Sequence, residues 1–222
     1  MKLSSEIFSI KKIPNVVWSS EDSFNLKPKP LTFLFLVFGL FLFGLGESLL
    51  ITSGAGVGPY TVLALGISNL TDWSIGLSTL VISIFVLLLW IPLKQKPGMG
   101  TILNAFIIAL TIEFSVFYLP YPETYPMQIL QVVVGVLIIG IGSGFYLIAN
   151  LGAGPRDGLM IGLQKKTNLP IYSIRTIIEV SVVIVGWLMG GVVGLGTAIF
   201  AFGIGPSVAL GLSMVGKTSK TI

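Results

Sequence analysis

Four ionisable residues lie inside long apolar blocks of the chain: Glu47, Glu113, Arg175 and Glu179. An isolated charge at membrane depth costs about 2.5–3.5 kcal/mol on the insertion scale, so each is expected to face the protein interior or water. We therefore assign the four to intramembrane charge or proton coupling. Arg175 and Glu179 are four residues apart on one helical face and can form an ion pair. Glu113 has no partner in its own block, so it is predicted to be a proton-linked carboxylate or to be satisfied by neighbouring hydroxyl and amide groups.

Two glycine-rich turns that end in proline supply the second group of candidate residues. These residues are Gly56, Gly58 and Pro59 in the first turn, and Gly152, Gly154, Pro155, Arg156 and Asp157 in and after the second. Proline suits the first turn of a helix, so each turn predicts a short helix whose free N–H groups attract an anion. Arg156 adds positive charge in the second turn, which predicts binding of a small anionic solute. The alternative is a tight turn that feeds an interfacial helix, with Arg156 anchored to lipid phosphate.

Histidine and cysteine are both absent from the chain. Their absence removes thiolate chemistry, the usual zinc and haem ligands, and the commonest general base. The sequence also contains no phosphate-binding loop, dinucleotide motif or nucleophile elbow. We therefore expect no cofactor, no metal site and no enzymatic activity.

The composition indicates a helical protein that crosses the membrane several times. The chain is 54% apolar and 10% charged, with a mean hydropathy of +0.96, and its charges lie mostly between apolar blocks. Six blocks are long enough to cross about 30 Å of hydrocarbon: residues 31–52, 74–93, 101–119, 127–149, 171–190 and 197–215. Two further apolar stretches, 59–70 and 156–167, follow the Gly-Pro turns and are too short to cross.

The same sequence pattern occurs twice, at a constant offset of 96 residues. Gly56 and Pro59, for example, recur as Gly152 and Pro155, and residues 44–110 contain seven such Gly-on-Gly pairs. The glycine content of the chain gives roughly one such pair by chance. An internal repeat in an apolar chain is typical of membrane transporters, whose working site lies where the copies meet.

Charge placement predicts the orientation of the copies. With the amino terminus in the cytoplasm, the outer segments 54–73, 119–127 and 190–196 contain no Lys or Arg, as the positive-inside rule requires. Three spans per copy then force the second copy into the membrane upside down. The predicted fold is an all-α polytopic membrane protein with six transmembrane helices in two inverted-topology repeats, each with a short non-spanning helix after its Gly-Pro turn. If both short stretches also cross, the count is eight.

The predicted organisation has five parts. They are a cytoplasmic arm at residues 1–30, repeat one at 31–119, an outer linker at 120–126, repeat two at 127–216 and a cytoplasmic tail at 217–222. The arm lacks the apolar run of a signal peptide, and it is predicted to lie against the membrane interface. Its apolar side chains suited to that position are Ile7, Phe8, Ile10, Val16, Val17 and Trp18.

Four segments carry a resemblance to a known family: residues 151–160, 174–180, 190–197 and 97–104, which include the Gly-Ala-Gly-Pro-Arg-Asp-Gly run around Arg156. With these motifs, residues 31–215 resemble the YczE/YyaS/YitT-type family of bacterial integral membrane proteins. The resemblance implies a location in the bacterial cell membrane. Members of that family often carry Trp-Asp after the first Gly-Pro, where this chain has Tyr60 and Thr61.

These features favour a small-solute secondary transporter with its site between the copies. The alternative is a non-transporting membrane scaffold or regulatory protein that acts on a partner at the cytoplasmic face. Membrane lipid and a small anionic solute are the expected partners, and nucleic acid is not. The expected location is the bacterial inner (cytoplasmic) membrane, with both termini in the cytoplasm and the oligomeric state left open.

The predicted orientation can be tested by cysteine labelling, because no native cysteine has to be removed. Glu123→Cys is expected to react with a membrane-impermeant thiol reagent in intact cells, since residue 123 lies in the outer linker. Lys96→Cys and Lys165→Cys are expected to react only after the cells are permeabilised. Labelling of position 96 in intact cells would show that the two copies are not inverted.

Overall fold

The computed structural model of the protein describes residues 13–218, which form eight α-helices and no β-strand. The helices are α1 (Pro30–Ser53), α2 (Pro59–Thr71), α3 (Ile75–Trp90), α4 (Met99–Ser115), α5 (Tyr125–Ala149), α6 (Pro155–Thr167), α7 (Ile171–Leu188) and α8 (Leu195–Thr218). The predicted all-helical class is confirmed. Every apolar block in the sequence coincides with a helix, to within four residues at each end.

Local chain chemistry sets where the helices begin and end. Prolines occupy the first turn of α1, α2 and α6, where a missing N–H costs no hydrogen bond. Ser74 begins α3 by accepting a hydrogen bond from the Leu77 N–H at 3.2 Å. Gly54 ends α1 with a φ of 70°, a left-handed conformation that glycine adopts without steric cost.

Four helices, α1, α5, α7 and α8, are long and apolar enough to cross a membrane by themselves. A fifth candidate span is the pair α2 and α3, which is bent by 116° at a short break. Helix α4 is apolar but has 17 residues, which at 1.5 Å per residue is shorter than about 30 Å of hydrocarbon. The described residues thus contain four or five candidate spans, and the predicted six requires α3 and α4 to cross separately.

The helix pattern repeats along the chain at the offset found in the sequence. Helices α2 and α6 begin at Pro59 and Pro155, and α4 and α8 begin at Met99 and Leu195, so both pairs are 96 residues apart. Helix α7 likewise begins 96 residues after α3. Below, copy one means α1–α4 and copy two means α5–α8.

The two copies exchange equivalent contacts. The Gly100 N–H at the start of α4 donates to the Leu151 carbonyl at 2.7 Å, and the Gly196 N–H at the start of α8 donates to the Ala55 carbonyl at 2.8 Å. Leu151 and Gly196 lie 96 residues after Ala55 and Gly100, so the two bonds are equivalent under the repeat. Each glycine turn therefore packs on the last helix of the other copy, and α2 and α6 pack on α7 and α3 in the same crossed manner. The contacts describe an approximate two-fold relation between the copies.

Helices α1 and α5 cross at four glycines that obey the same relation. A Cβ on Gly142 would lie 2.5 Å from the Gly39 carbonyl oxygen, and one on Gly135 would lie 2.9 Å from the Gly46 carbonyl oxygen. Real Cβ atoms do not approach carbonyl oxygens so closely, so the two backbones meet at a distance that only glycine allows. This crossing joins the two copies at the centre of the molecule.

The described part of the predicted arm, residues 13–29, packs into one end of the bundle. Val16 and Trp18 are buried in the hydrophobic core, whereas Val17 is exposed. The Ser20 N–H donates to the Ala149 carbonyl at 3.1 Å, and the Asn150 side chain donates to the Ser20 carbonyl at 2.8 Å. The prediction that Val16 and Trp18 lie at the membrane interface is therefore wrong. Ser20, two residues after Trp18, ties this segment to the end of α5, and burial in the core removes the Val16 and Trp18 side chains from solvent.

The predicted chain ends and the predicted outer linker either overlap the helices or lie outside the described residues. Ile7, Phe8 and Ile10 lie outside the described residues, as do residues 219–222 of the predicted tail. Helix α8 continues through Lys217 and Thr218, so the start of the predicted tail is helical. Helix α5 begins at Tyr125, so its first two residues lie inside the predicted linker 120–126.

The glycine crossing predicts a sharp difference between two glycine-to-alanine substitutions. Gly142→Ala is expected to destabilise the protein by about 1–3 kcal/mol, because the added methyl overlaps the α1 backbone. Gly203→Ala is the matched control, since its Cβ would meet only Val136 at an ordinary 3.4 Å. Thermal unfolding of the purified proteins in detergent measures both. Equal losses for the two variants would mean that the crossing does not limit packing.

Candidate functional site

Two adjoining cavities with polar walls lie between the copies. One has a volume of about 110 Å³ and the other about 200 Å³, and they share the lining residues Phe43, Tyr146, Arg156 and Asp157. The polar residues that line only the smaller cavity are Glu47, Tyr60, Thr61, Thr79, Ser83 and Asn104. Arg175 and Ser143 add polar groups to the larger one. Charged and hydroxyl groups thus meet inside an otherwise apolar bundle.

Equivalent positions of the two copies line these cavities. Under the 96-residue offset, Tyr60, Thr61 and Thr79 of copy one correspond to Arg156, Asp157 and Arg175 of copy two. Ser83 corresponds in the same way to Glu179, the hydrogen-bond partner of Arg175. Copy one therefore contributes hydroxyl groups where copy two contributes charges. The site is symmetric in position and asymmetric in chemistry.

Arg156 is the cation of the shared wall. Its guanidinium carbon lies 5.4 Å from the centre of the Tyr60 ring, within range of a cation–π interaction. Among residues 13–218 it makes no ion pair, although Asp157, Glu179 and Glu47 are close enough for their charges to act on it. The guanidinium therefore retains donors for a further acceptor.

The second glycine turn is held by side chains of other helices. The Gly154 N–H donates to the Tyr146 hydroxyl at 2.7 Å, and that hydroxyl donates to Asp157 Oδ2 at 3.3 Å. Trp90 of copy one donates its indole N–H to the Pro155 carbonyl at 2.9 Å. Because the Gly154 N–H already donates to Tyr146, it is not free to bind an anion. The positive group available to an anion at this turn is the Arg156 side chain.

Gly152 and the residues of the first turn have packing contacts and do not line the cavities. A Cβ on Gly152 would lie 2.7 Å from Thr101 Oγ1, and one on Gly56 would lie 2.8 Å from Thr197 Oγ1. Pro59 is buried, as is Gly58, which rests on the Phe200 ring. The turns bring Arg156, Asp157, Tyr60 and Thr61 to the cavities, while their glycines make the approach of the helices possible.

Phe200 and Asn104 occupy equivalent positions in the two copies. Their difference in size explains why, among the described residues, a cavity lies beside the second glycine turn and not beside the first. The Phe200 ring is buried against Gly58. Asn104 faces Gly154, where its side-chain nitrogen would lie 3.5 Å from an added Cβ. An aromatic ring therefore fills the copy-one site, whereas a smaller amide leaves polar space at the copy-two site.

The four ionisable residues predicted from the spans fall into two places. Glu47 is 6% exposed and accepts a hydrogen bond from Thr61 Oγ1 at 2.7 Å. Arg175 Nε donates to Glu179 Oε1 at 2.9 Å, so the expected pair is present. Glu113 lies apart from these three, in a separate hollow with Ser74 and Gly76 near the end of α4. The structure brings Glu47, Arg175 and Glu179 together with Arg156, and it does not bring Glu113 to them.

Comparison with known proteins fits this picture of a membrane bundle. Residues 31–212 match DUF6198, described as a family of unknown function. The chain belongs to DUF6198. An uncharacterized protein of Haemophilus influenzae is 39% identical over 208 residues, covering 94% of each chain. The uncharacterized membrane protein YczE of Bacillus subtilis is 33% identical over 77% of this chain and 80% of its own, and YyaS of the same organism is 25% identical over 74% and 84%.

No solved structure matches the chain. The resemblance to YczE and YyaS inferred from the motifs is confirmed. Together with the apolar helices, the match to a membrane protein makes this DUF6198 chain a multi-pass membrane protein.

Sequence reasoning gave no site role to seven polar residues that line the cavities of this DUF6198 protein: Tyr60, Thr61, Thr79, Ser83, Asn104, Ser143 and Tyr146. The repeat itself carried a signal for Thr79 and Ser83, because they occupy the positions of Arg175 and Glu179 in the other copy. Tyr146 gave a weaker signal, as a lone tyrosine within an apolar span. Asn104 is the last residue of the 97–104 motif and one of the amides that could have satisfied Glu113, but the structure places it at Gly154.

The double role of the Tyr146 hydroxyl predicts the effect of its removal. Tyr146→Phe is expected to destabilise the protein by about 1–3 kcal/mol, because the buried Gly154 N–H loses its acceptor. Tyr172→Phe is the control, since Tyr172 is 71% exposed. Thermal unfolding in detergent compares the two. A Tyr146→Phe protein as stable as the control would mean that water replaces the hydroxyl at no cost.

Proposed function

We propose that this protein is a secondary transporter that carries a small anionic solute through a site between two inverted copies. The observation that carries the proposal is the pair of polar cavities between the copies, with Arg156 in their shared wall and without an ion pair among the described residues. Polar cavities at the interface of repeated membrane domains are where carriers bind their substrates.

The free-energy cost of placing charged side chains in a membrane interior supports a functional role for those that line the cavities. Glu47, Asp157 and Arg156 lie at the cavities without direct ion pairs among residues 13–218. Ionisable groups in membrane interiors are expensive, and they mark substrate and ion pathways unless they are paired. A purely structural role fits the bonded pair Arg175 and Glu179 better than it fits Arg156, which contacts an aromatic ring and open space.

The size of the site bounds the solute. The two cavities, at about 110 Å³ and about 200 Å³, are each smaller than the roughly 300–1,000 Å³ typical of pockets for drug-sized ligands. The expected solute is a small carboxylate or inorganic oxyanion. The planar fork of donors on Arg156 suits such a group.

The crossed contacts support the inverted arrangement. In this proposal α3 and α4 cross the membrane separately, which gives six spans, and the approximate two-fold axis lies in the membrane plane. Rocking one copy against the other would open the site alternately to the two sides. The termini lie in the cytoplasm, the protein resides in the bacterial inner membrane, and neither catalysis nor nucleic-acid binding is part of its role.

Uptake into liposomes containing the purified protein tests the proposal. We expect at least one labelled anion among lactate, succinate, phosphate and sulfate to enter faster than into protein-free liposomes. Arg156→Gln is expected to lower that uptake tenfold or more, because it removes the cation of the site. Lys165→Gln removes the same charge from an exposed position on the same helix, so its uptake should match that of the unmodified protein.

Two outcomes would contradict the proposal. The first is the absence of uptake for every anion. The second is an Arg156→Gln protein that transports normally but inserts or folds poorly, which would make Arg156 an anchor to lipid phosphate. With no uptake, the predicted membrane scaffold or regulatory protein becomes the better interpretation.

A further inference from the structure

We propose that Glu47 is the coupling residue of this site and that a proton on Glu47 permits an anionic group to bind beside Arg156. The proton and the anion then cross the membrane together. The inference rests on the proposed transport of an anion and adds the coupling ion to it. It rests on the geometry of the charged cluster around the two cavities.

The charged cluster consists of Glu47, Asp157, Glu179, Arg156 and Arg175. Of its three carboxylates, Glu47 has the fewest groups that could stabilise a negative charge. It is buried at 6% exposure, and its hydrogen-bond donor among the described residues is the Thr61 hydroxyl. Burying a carboxylate favours its neutral form unless ion pairs or several donors hold the charge. A single neutral hydroxyl supplies neither.

The other two carboxylates of the cluster have partners that Glu47 lacks. Glu179 accepts from the Arg175 guanidinium at 2.9 Å. Asp157 accepts from the Tyr146 hydroxyl and lies in the first turn of α6, where the helix dipole stabilises negative charge. Protons therefore enter the cluster at Glu47.

Counting charges shows why proton and anion go together. Glu47, Asp157 and Glu179 carry three negative charges, and Arg156 and Arg175 carry two positive charges, so the ionised cluster has a net charge of minus one. A proton on Glu47 brings the cluster to zero. A bound monoanion then restores minus one, which is the charge the empty site had before. Binding an anion without the proton would place a net charge of minus two in a low-dielectric interior.

Among residues 13–218, the groups around Glu47 that can titrate are two tyrosines and the other members of the cluster. The titratable side chains that share its cavities or act on the cluster are Tyr60, Tyr146, Arg156, Asp157, Arg175 and Glu179. Helices α3 and α4 present uncharged residues to the cavity, among them Thr79 and Asn104. Glu113, which the sequence favoured for proton coupling, lies in its own hollow away from Arg156.

Anion binding to the full-length protein in nanodiscs tests the coupling. The probes are the monoanions nitrate and lactate, whose own charge of minus one stays fixed between about pH 5.5 and 8. Because the anion binds the form with Glu47 protonated, affinity should rise about tenfold for each unit fall in pH until Glu47 is fully protonated. Calorimetry in buffers of different ionisation enthalpy should detect the uptake of about one proton for each anion bound.

Variants separate coupling from folding. Glu47→Gln mimics the protonated residue, so anion affinity should equal the low-pH value of the unmodified protein at every pH, with no proton uptake. Thr61→Val removes the donor to Glu47 and should shift the pH midpoint of binding upward while keeping the dependence. Glu113→Gln is the matched control and should keep the pH dependence of the unmodified protein.

Each contrary outcome has a distinct meaning. If the anions bind with the same affinity at every pH, or if Glu47→Gln keeps the pH dependence, proton coupling at Glu47 is wrong and the proposed transport stands. If neither anion binds at any pH, the coupling proposal fails, and the liposome uptake of the four labelled anions decides the proposed transport separately. If Glu47→Gln does not fold, a Thr61→Val protein with an unshifted midpoint still overturns the coupling.

Discussion

The architecture depends on one contact made twice, the hydrogen bond between a glycine turn of one copy and the first helical turn of the other. Leu151 accepts from Gly100, and Ala55 accepts from Gly196. Backbone groups at these helix starts have no partner within their own helix, and an apolar surrounding makes an unpaired amide expensive. Pairing them across the copies fixes where α6 begins, and thereby where Arg156 and Asp157 project.

Much of this fold was readable from the sequence because its determinants are local. Apolar length fixed the helices, and proline and glycine fixed their ends, so each predicted block became a helix. The number of membrane crossings was harder to predict than the helices. Helix α3 has 16 residues and α4 has 17, which are lengths near the lower limit for a membrane span. The position of the arm also escaped prediction, since Val16 and Trp18 look alike whether they face lipid headgroups or a protein core.

Site residues could be predicted where their own type was unusual in the sequence. They could not be predicted where their role depends on a residue that they contact in the fold. Glu47 was found as a charge inside an apolar block, and Arg156 was found as the cation that follows the second Gly-Pro turn. Tyr146 serves the site by bonding Gly154 and Asp157, a role that requires knowing how α5 meets α6. Glu113 satisfied the same sequence criterion as Glu47, and only packing separates them. At the equivalent positions 104 and 200 the chain has Asn and Phe, so the polar space is present at the second glycine turn and filled at the first.

The packed arm makes the two ends of the bundle unequal, because its described residues add hydrogen bonds at one end and not at the other. Ser20 bonds to Ala149 and Asn150 beside the copy-two turn, whereas Gly54, the equivalent of Asn150, has open space where a side chain would be. In the proposed transport cycle, opening the end of the bundle that holds the arm would require breaking these two hydrogen bonds, at about 1 kcal/mol each, which disfavours opening there by about thirty-fold relative to the opposite end. A bundle of two similar copies would then have a preferred resting orientation set by a segment that lies outside the 96-residue repeat.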